Sequence, residues 1–143
     1  MPVDELRIRP IAIALIRRGD DVLAAEFYDP TRDVTFCRPL GGGIEFGESA
    51  EDALRREFDE EIGAELTDVR LLGVLESRFH GFDRPGHEIV FVFAAELADA
   101  SLYDRDPVAP VADDDTVAAW HPISRFADGS VPLYPDGALD LLQ

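Results

Sequence analysis

The sequence predicts an α/β fold, and three observations carry that prediction. Short apolar runs with strand character recur along the chain, one strongly amphipathic helical segment interrupts them, and three consecutive glycines stand ahead of that segment. Residues 8–16 are apolar and rich in Ile and Ala, and Arg17-Arg18-Gly19-Asp20-Asp21 follows as a polar turn. Residues 22–28 read as a returning strand, so the pair predicts a hairpin. Asp29-Pro30-Thr31-Arg32-Asp33 is a second turn, and residues 34–37 make a short third strand. Pro39-Leu40-Gly41-Gly42-Gly43 reads as a loop whose glycines allow positive φ and close approach to a ligand. Ser49 can cap the helix that follows, with Asp52 three residues on as a weaker capping-box acid. That helix should run to about Ile62 and stop at Gly63.

Beyond the helix, residues 69–75, 88–96 and 118–123 are strand candidates. Residues 80–86 are turn-rich, 109–115 read as an acidic surface loop, and 135–142 as a short closing helix. No repeat or linker divides the chain, so residues 1–143 read as one domain. A chain of this length buries roughly 70% of its unfolded surface.

Thirty Asp and Glu stand against thirteen basic residues, all Arg, for a formal net charge of -17. A field of that sign repels polyphosphate backbones, whose binding depends on neutralisation by Lys and Arg. The composition therefore disfavours DNA or RNA as a partner and fits solubility or a salt-rich habitat. An enzyme that handled phosphates under such a field would need local cations, and metal ions are the evident source. Cys37 is the only cysteine, so no intrachain disulfide forms and nothing marks a secreted scaffold. No stretch approaches the ~20 apolar residues of a membrane span. The opening Met1-Pro2-Val3-Asp4-Glu5 lacks the basic-then-apolar pattern of a signal peptide. The expected compartment is the cytoplasm.

The segment from Gly42 to Ala64 carries the chemistry. At ~100° per residue, Ala50, Leu54, Phe58 and Ile62 form one apolar stripe that should face the core. Glu57, Glu60 and Glu61 fall on an adjoining arc, and Glu61 projects inside the stripe itself. A carboxylate there must be paired, protonated or bound to a cation, because burying a lone charge is very costly. Three carboxylates at i, i+3 and i+4 also repel one another, which pushes at least one pKa upward. A hard divalent cation removes the conflict by taking oxygen ligands from all three. Mg²⁺ fits best, with Mn²⁺ as the alternative, since it uses a few carboxylates and fills its shell with waters and substrate phosphates. On the triplet alone, a solvated helix face balanced by Arg55 and Arg56 explains the charges at least as well. The spacing of the neighbours decides.

Gly42, Glu48, Arg56, Glu57, Phe58, Glu60, Glu61 and Gly63 resemble the Nudix box, G-x5-E-x7-R-E-U-x-E-E-x-G-U, where U is a bulky aliphatic residue. All seven fixed letters stand at the right spacing. At average residue frequencies a chance match is on the order of 10⁻⁸ to 10⁻⁹ per starting position. Two soft positions depart from the pattern: Phe58 replaces a smaller aliphatic and Ala64 fills the last hydrophobic slot, both still apolar. The box covers about a sixth of the chain.

The resemblance implies a Nudix α/β/α sandwich, a mixed sheet flanked by helices. It implies divalent-metal-dependent hydrolysis of a phosphoanhydride bond in a nucleoside diphosphate linked to another group, by water attack at phosphorus. Carried over residue by residue, Glu57, Glu60 and Glu61 match the metal-ligand positions, and a carbonyl near Gly41 or Gly42 supplies a further oxygen. Arg56 would orient a catalytic carboxylate, and Glu48 would support the helix N-terminus or a water. The general base in this family comes from various places, often an acidic loop before a strand bearing Trp. Here that points to Asp114 or Asp115 ahead of Trp120, with a box Glu, Glu76 and Glu96 as alternatives. Arg38, Gly41, Gly42 and Gly43 stand where substrate phosphates would lie, and Arg78, Phe79 and Phe82 where a base or the linked group would pack. His87 reads as structural. Cys37 precedes the site closely enough to resemble the Nudix-fold isopentenyl diphosphate isomerases, which use a cysteine, but the intact hydrolytic box favours a small buried hydrophobe.

The implied partner is a small nucleotide: a nucleoside triphosphate, a dinucleoside polyphosphate or a nucleotide sugar. RNA cap removal is disfavoured by the charge, and no membrane is implied. Many members dimerise, although no interface is marked in the sequence. The competing reading is a Nudix domain that binds a nucleotide as a sensor without turning it over. Such domains often lose box carboxylates, and this chain has lost none.

Overall fold

The computed structural model describes residues 6–142, so the reading placed on Met1, Pro2, Val3, Asp4 and Glu5 lies outside the described residues. The strands form two sheets. One holds β5 (Gly41–Gly43), β1 (Ile8–Leu15), β7 (Arg84–Leu97) and β6 (Leu66–Gly81), in that order. The other runs β2 (Arg17–Arg18), β3 (Asp21–Asp29), β9 (Val117–Pro122) and β8 (Ala109–Pro110), with β4 (Val34–Arg38) also paired to β3. β1 and β7 are parallel, which makes the first sheet mixed, while the pairings within the second are antiparallel.

The expected hairpin between residues 8–16 and 22–28 does not form. β1 joins β5 and β7, and only the two-residue β2 folds back on β3. The reason lies in the burial of β1. Ala12, Ala14 and Ile16 enter one core, while Ile11, Ile13 and Leu15 enter another. A strand covered on both faces reads as a continuous apolar run and belongs in the middle of the molecule.

The helix α1 spans Ala50–Ile62. Ser49 Oγ accepts from the Asp52 N–H at 3.0 Å, and Gly63 ends the helix at φ 65°. Leu54 and Phe58 are fully buried in the first core, and Ala50 and Ile62 pack partly buried against it. Burial of Leu54 and Phe58 alone is worth roughly 3–6 kcal/mol. The second core is closed by Phe126 of α2 (Ile123–Ala127), by Leu133 and by Ala138 of α3 (Ala138–Leu141).

The predicted strand at 69–75 is part of a far longer one. β6 and β7 pair from Leu66↔Leu97 to Gly81↔Arg84, leaving only Phe82 and Asp83 as the turn. Both take positive φ, 51° and 61°, as a tight two-residue hairpin connection requires. The turn is held from outside: buried Asp29 accepts from Phe82 N at 2.8 Å and from Thr31 N at 2.9 Å. The turn expected within residues 80–86 is thus confined to two residues, with strand on either side. The predicted glycine loop is likewise a strand, because Gly41, Gly42 and Gly43 pair with Ile13, Ala12 and Ile11. α2 and the 3-10 turn at Ala100–Asp104 are short, and no side chain caps α2 to announce it.

Candidate functional site

β5 lies so closely between β1 and α1 that two of its glycines are obligatory. A Cβ at Gly41 would overlap the Ala12 carbonyl, and Gly41 also holds φ 146°. A Cβ at Gly42 would fall on the Glu57 carboxylate. β5 therefore meets β1 through backbone at Gly41 and the helix through the Glu57 carboxylate at Gly42.

Arg56 organises the helix end. Its Nε and Nη2 donate to the two oxygens of Glu48 at 2.8 and 2.9 Å, and Nη2 also donates to the Gly43 carbonyl at 2.9 Å. Nη1 reaches Glu57 at 3.1 Å and Glu60 at 3.2 Å. Such two-pronged pairs are among the stronger hydrogen bonds. The Arg56 bonds, with help from the Glu45 N–H, hold the Glu48 carboxyl down to about 2.

Among the described residues Glu61 has no such cation. Its Oε1 accepts from Gly41 N at 3.2 Å. Burial pushes its carboxyl up to about 8, the charge of Glu57 adds to this, and Asp114 and Glu60 raise it further. Asp114 is brought near by the loop after β8, which is tied to the helix by an Ala112 N–H donated to the Glu61 carbonyl at 2.9 Å.

Gly41, Gly42, Glu61, Asp114 and Arg38 line a cavity of about 210 Å³. A larger cleft of about 820 Å³ adjoins it, and Arg9, Arg38 and Glu88 line both. Arg78, Phe79 and Phe82 lie in the larger cleft only, with Phe82 edge-on to Phe36 at 6.1 Å. Of the other expected residues, Glu60 is largely exposed, with its side chain 58% accessible. Asp115 is exposed and lines neither cavity. Gly43 contributes its carbonyl to Arg56 rather than a face to either space. Glu76 pairs with His87 at 2.8 Å, and neither it nor Glu96 lines a cavity.

Two residues at the junction escaped the sequence reading. Glu88 is buried at 5% exposure and ion-pairs with Arg38 at 3.1 Å and, more loosely, with Arg9 at 3.9 Å. The signal was parity: Glu88 shares its strand face with buried Val90 and Val92, as Arg9 does with Ile11 and Ile13. A charge on the inward face of an apolar strand marks a paired or functional group.

The three box carboxylates do not converge tightly. Among the described residues, the group of three whose ligand atoms all lie within 4.8 Å is Glu26, Cys37 and His121. Arg125 already occupies that group, bonded to His121 Nδ1 at 2.9 Å and to Glu26 at 3.1 Å. Cys37 beneath it is fully buried, and its thiol is pushed up to about 11 by burial, as expected of an inert hydrophobe.

Comparison with known proteins agrees with this geometry. NudC, the NAD-capped RNA hydrolase of Mycobacterium tuberculosis, is 38% identical over 112 residues, 71% of this chain and 34% of that protein. The chain thus spans about a third of the length of the curated relatives it matches. A NUDIX hydrolase from Nitrosomonas europaea superposes with a TM-score of 0.67 at 20% identity, covering 95% of this chain and 86% of that one. A MutT NUDIX hydrolase from Burkholderia pseudomallei gives 0.66 at 22% identity, covering 96% and 98%. These similarities show the fold to be the Nudix α/β/α sandwich. The family model for the NUDIX domain matches residues 7–138, and the chain belongs to the Nudix family.

Proposed function

We propose that this chain hydrolyses a phosphoanhydride bond in a nucleoside diphosphate linked to another moiety, by water attack at phosphorus. The observation that carries this reading is Glu61: a half-buried carboxylate without a cationic partner among the described residues, beside Glu57 and Asp114, at a cavity whose wall also carries Arg38. Nudix hydrolases generally need divalent metal ions. The donors here fit one, since they are all oxygens and Arg56 pairs with only Glu57 and Glu60 of them, leaving Glu61 with no counter-charge among the described residues. Glu57 and Glu61, with Glu60 from the solvent side and a carbonyl of Gly42, would hold Mg²⁺ or Mn²⁺. Bound there, the ion neutralises phosphate charge and lowers the pKa of water.

The chain's own residues supply the rest. Arg56 fixes Glu57 by direct hydrogen bond and ties Glu48 and the Gly43 carbonyl to the same guanidinium, so the helix and β5 keep one spacing. Asp114 is preferred to Asp115 as the general base because it lines the cavity and its charge acts on Glu61. Arg38 meets a phosphate where the two spaces join, and Arg78 and Phe82 receive the linked group in the larger cleft. In this reading residues 1–143 work as one Nudix unit in the cytoplasm on a small nucleotide, with a homodimer as the assembly to test. Among the described residues no helix is long and apolar enough to cross a membrane.

The test is release of phosphate or nucleoside monophosphate from triphosphates, dinucleoside polyphosphates, nucleotide sugars and, following the relatives' name, NAD-capped RNA. Turnover should require Mg²⁺, stop in EDTA, and fall by about 10³-fold or more in Glu61→Gln. Wild type and variant that are equally inert yet still bind nucleotide would put the sensor reading in its place.

A further inference from the structure

Six of the thirteen arginines, Arg7, Arg9, Arg32, Arg38, Arg78 and Arg84, line the larger cleft. Three carboxylates face them there: Asp29, Glu88 and Asp136. In a chain of net charge -17 this is a local reversal of sign. Two of the three acids are engaged. Asp29 accepts from Thr31 and Phe82, and Glu88 is held by Arg38 and Arg9. Among the described residues Arg7 and Arg78 have no ion-pair partner, and Arg32 donates to the His80 carbonyl at 2.9 Å while its charge acts on the nearby Asp29 without a direct ion pair. A cleft with a surplus of one sign within a field of the other concentrates ligands of the opposite charge.

We infer that the substrate carries a phosphate monoester remote from the scissile anhydride, and that this cleft recognises it. The inference rests on the hydrolase reading for the position of the anhydride. Glu88 marks the junction with the smaller cavity and Arg84 the start of the hairpin strand, four residues apart along β7. At ~3.3 Å per residue that is about 13 Å, the scale of one nucleotide. Phe79 and Phe82, each roughly half-exposed, together with Tyr134 offer ring faces to a base along the way. Guanidinium forks match phosphate oxygens in pairs, as they do carboxylates, while a neutral sugar offers no such charged pair; on a nucleotide the anionic group remote from the anhydride is a phosphate monoester. The substrate class is therefore a nucleotide with its own 2′- or 3′-phosphate in addition to the anhydride.

The test compares ligands that differ only in that phosphate: ADP-ribose with its 2′-phosphate, NAD with NADP, and dephospho-coenzyme A with coenzyme A. Binding is read by calorimetry on the full chain, separately from turnover. The phosphate-bearing member of at least one pair should bind tenfold or more tightly. That ratio should shrink between 50 and 200 mM salt, and fall to within twofold in the double variant Arg7→Gln/Arg32→Gln. Equal binding in all three pairs, or a ratio unmoved by the double variant, overturns the inference. Preference for an NAD-capped oligonucleotide over NADP also overturns it, since the arginines would then read an RNA phosphodiester. Tighter binding without turnover leaves the inference standing and removes the hydrolase reading instead.

Discussion

At the helix end of the cleft, Glu57 and Glu60 share one guanidinium, Arg56, whose shortest bond is to Glu48, while Glu61 and Asp114 form no ion pair among the described residues. At the hairpin end, six guanidiniums face three carboxylates. The first surplus calls for a cation and the second for an anion, and an anhydride-bearing nucleotide with its metal answers both. The two ends also differ in how the chain makes them. The acidic end comes mainly from one helix and the strand before it. The basic end is gathered from β1, the turn and strand around Arg32 and Arg38, and the β6–β7 hairpin. An end built from local spacing depends on a few residues at fixed offsets, and Arg56 is the one to remove first.

Arg56→Ala should give the largest effect on stability. The substitution removes a two-pronged bond to Glu48 and bonds to Glu57, Glu60 and the Gly43 carbonyl, from a side chain 26% exposed. The expected loss is about 2–4 kcal/mol, a fall of roughly 5–15 °C in Tm for a chain of this size. Arg56→Lys keeps the charge but not the fork, and should restore less than half of the loss. Thermal melts of the two variants side by side decide it. Full rescue by Lys would mean that the charge alone holds the helix against β5.

The same contrast explains what could be read from the sequence. Residues 42–64 disclose the helix, its cap at Ser49, its stop at Gly63 and the odd position of Glu61, because each depends on neighbours within four residues or so. The glycine run reads as a loop for an equally physical reason: closeness of Gly42 to Glu57 is tertiary, and no local pattern states that three glycines will pair with β1. The partners of β1 are not legible locally, because continuous apolar character says that both faces are covered but not by what. Arg78 and Phe82 were placed near a base, yet the convergence with Arg7, Arg9, Arg32 and Arg84 depends on a hairpin whose turn is held by Asp29, from more than fifty residues upstream. Glu88 was legible by parity and was passed over because the neighbouring apolar residues dominate the run.

A pH series separates the helix end from the rest of the molecule. The Glu61 carboxyl stands near 8 in the folded chain against 4.5 for the free group, so between those values the native state holds a proton that the unfolded state lacks. Stability from this group is complete below about 4.5 and is lost as pH rises through 8, by at most about 1.4 kcal/mol per pH unit. Glu48 has the opposite sign: its lowered carboxyl favours the fold above 4.5 and that benefit is lost as pH falls toward 2. In EDTA, urea midpoints should therefore decline from pH 5 to pH 8 in the wild type and flatten in Glu61→Gln. Mg²⁺ should restore stability at pH 8 in the wild type alone. Parallel curves for the two proteins would show that Glu61 is not desolvated as the packing implies.

Glu88→Gln tests the junction and should give the smallest effect. Gln fits the same space but carries no charge, so Arg38 loses its ion pair at 3.1 Å and Arg9 the looser one at 3.9 Å. If Glu88 serves to balance charge, the cleft becomes more positive: KM for a phosphate-bearing substrate falls by about twofold to fivefold at low salt, and its salt dependence steepens. If Glu88 serves instead to aim Arg38 at the boundary of the two cavities, KM rises at every salt concentration. The direction of change thus distinguishes a counter-ion from a positioning residue, and it does so at the one buried acid that faces both ends of the cleft.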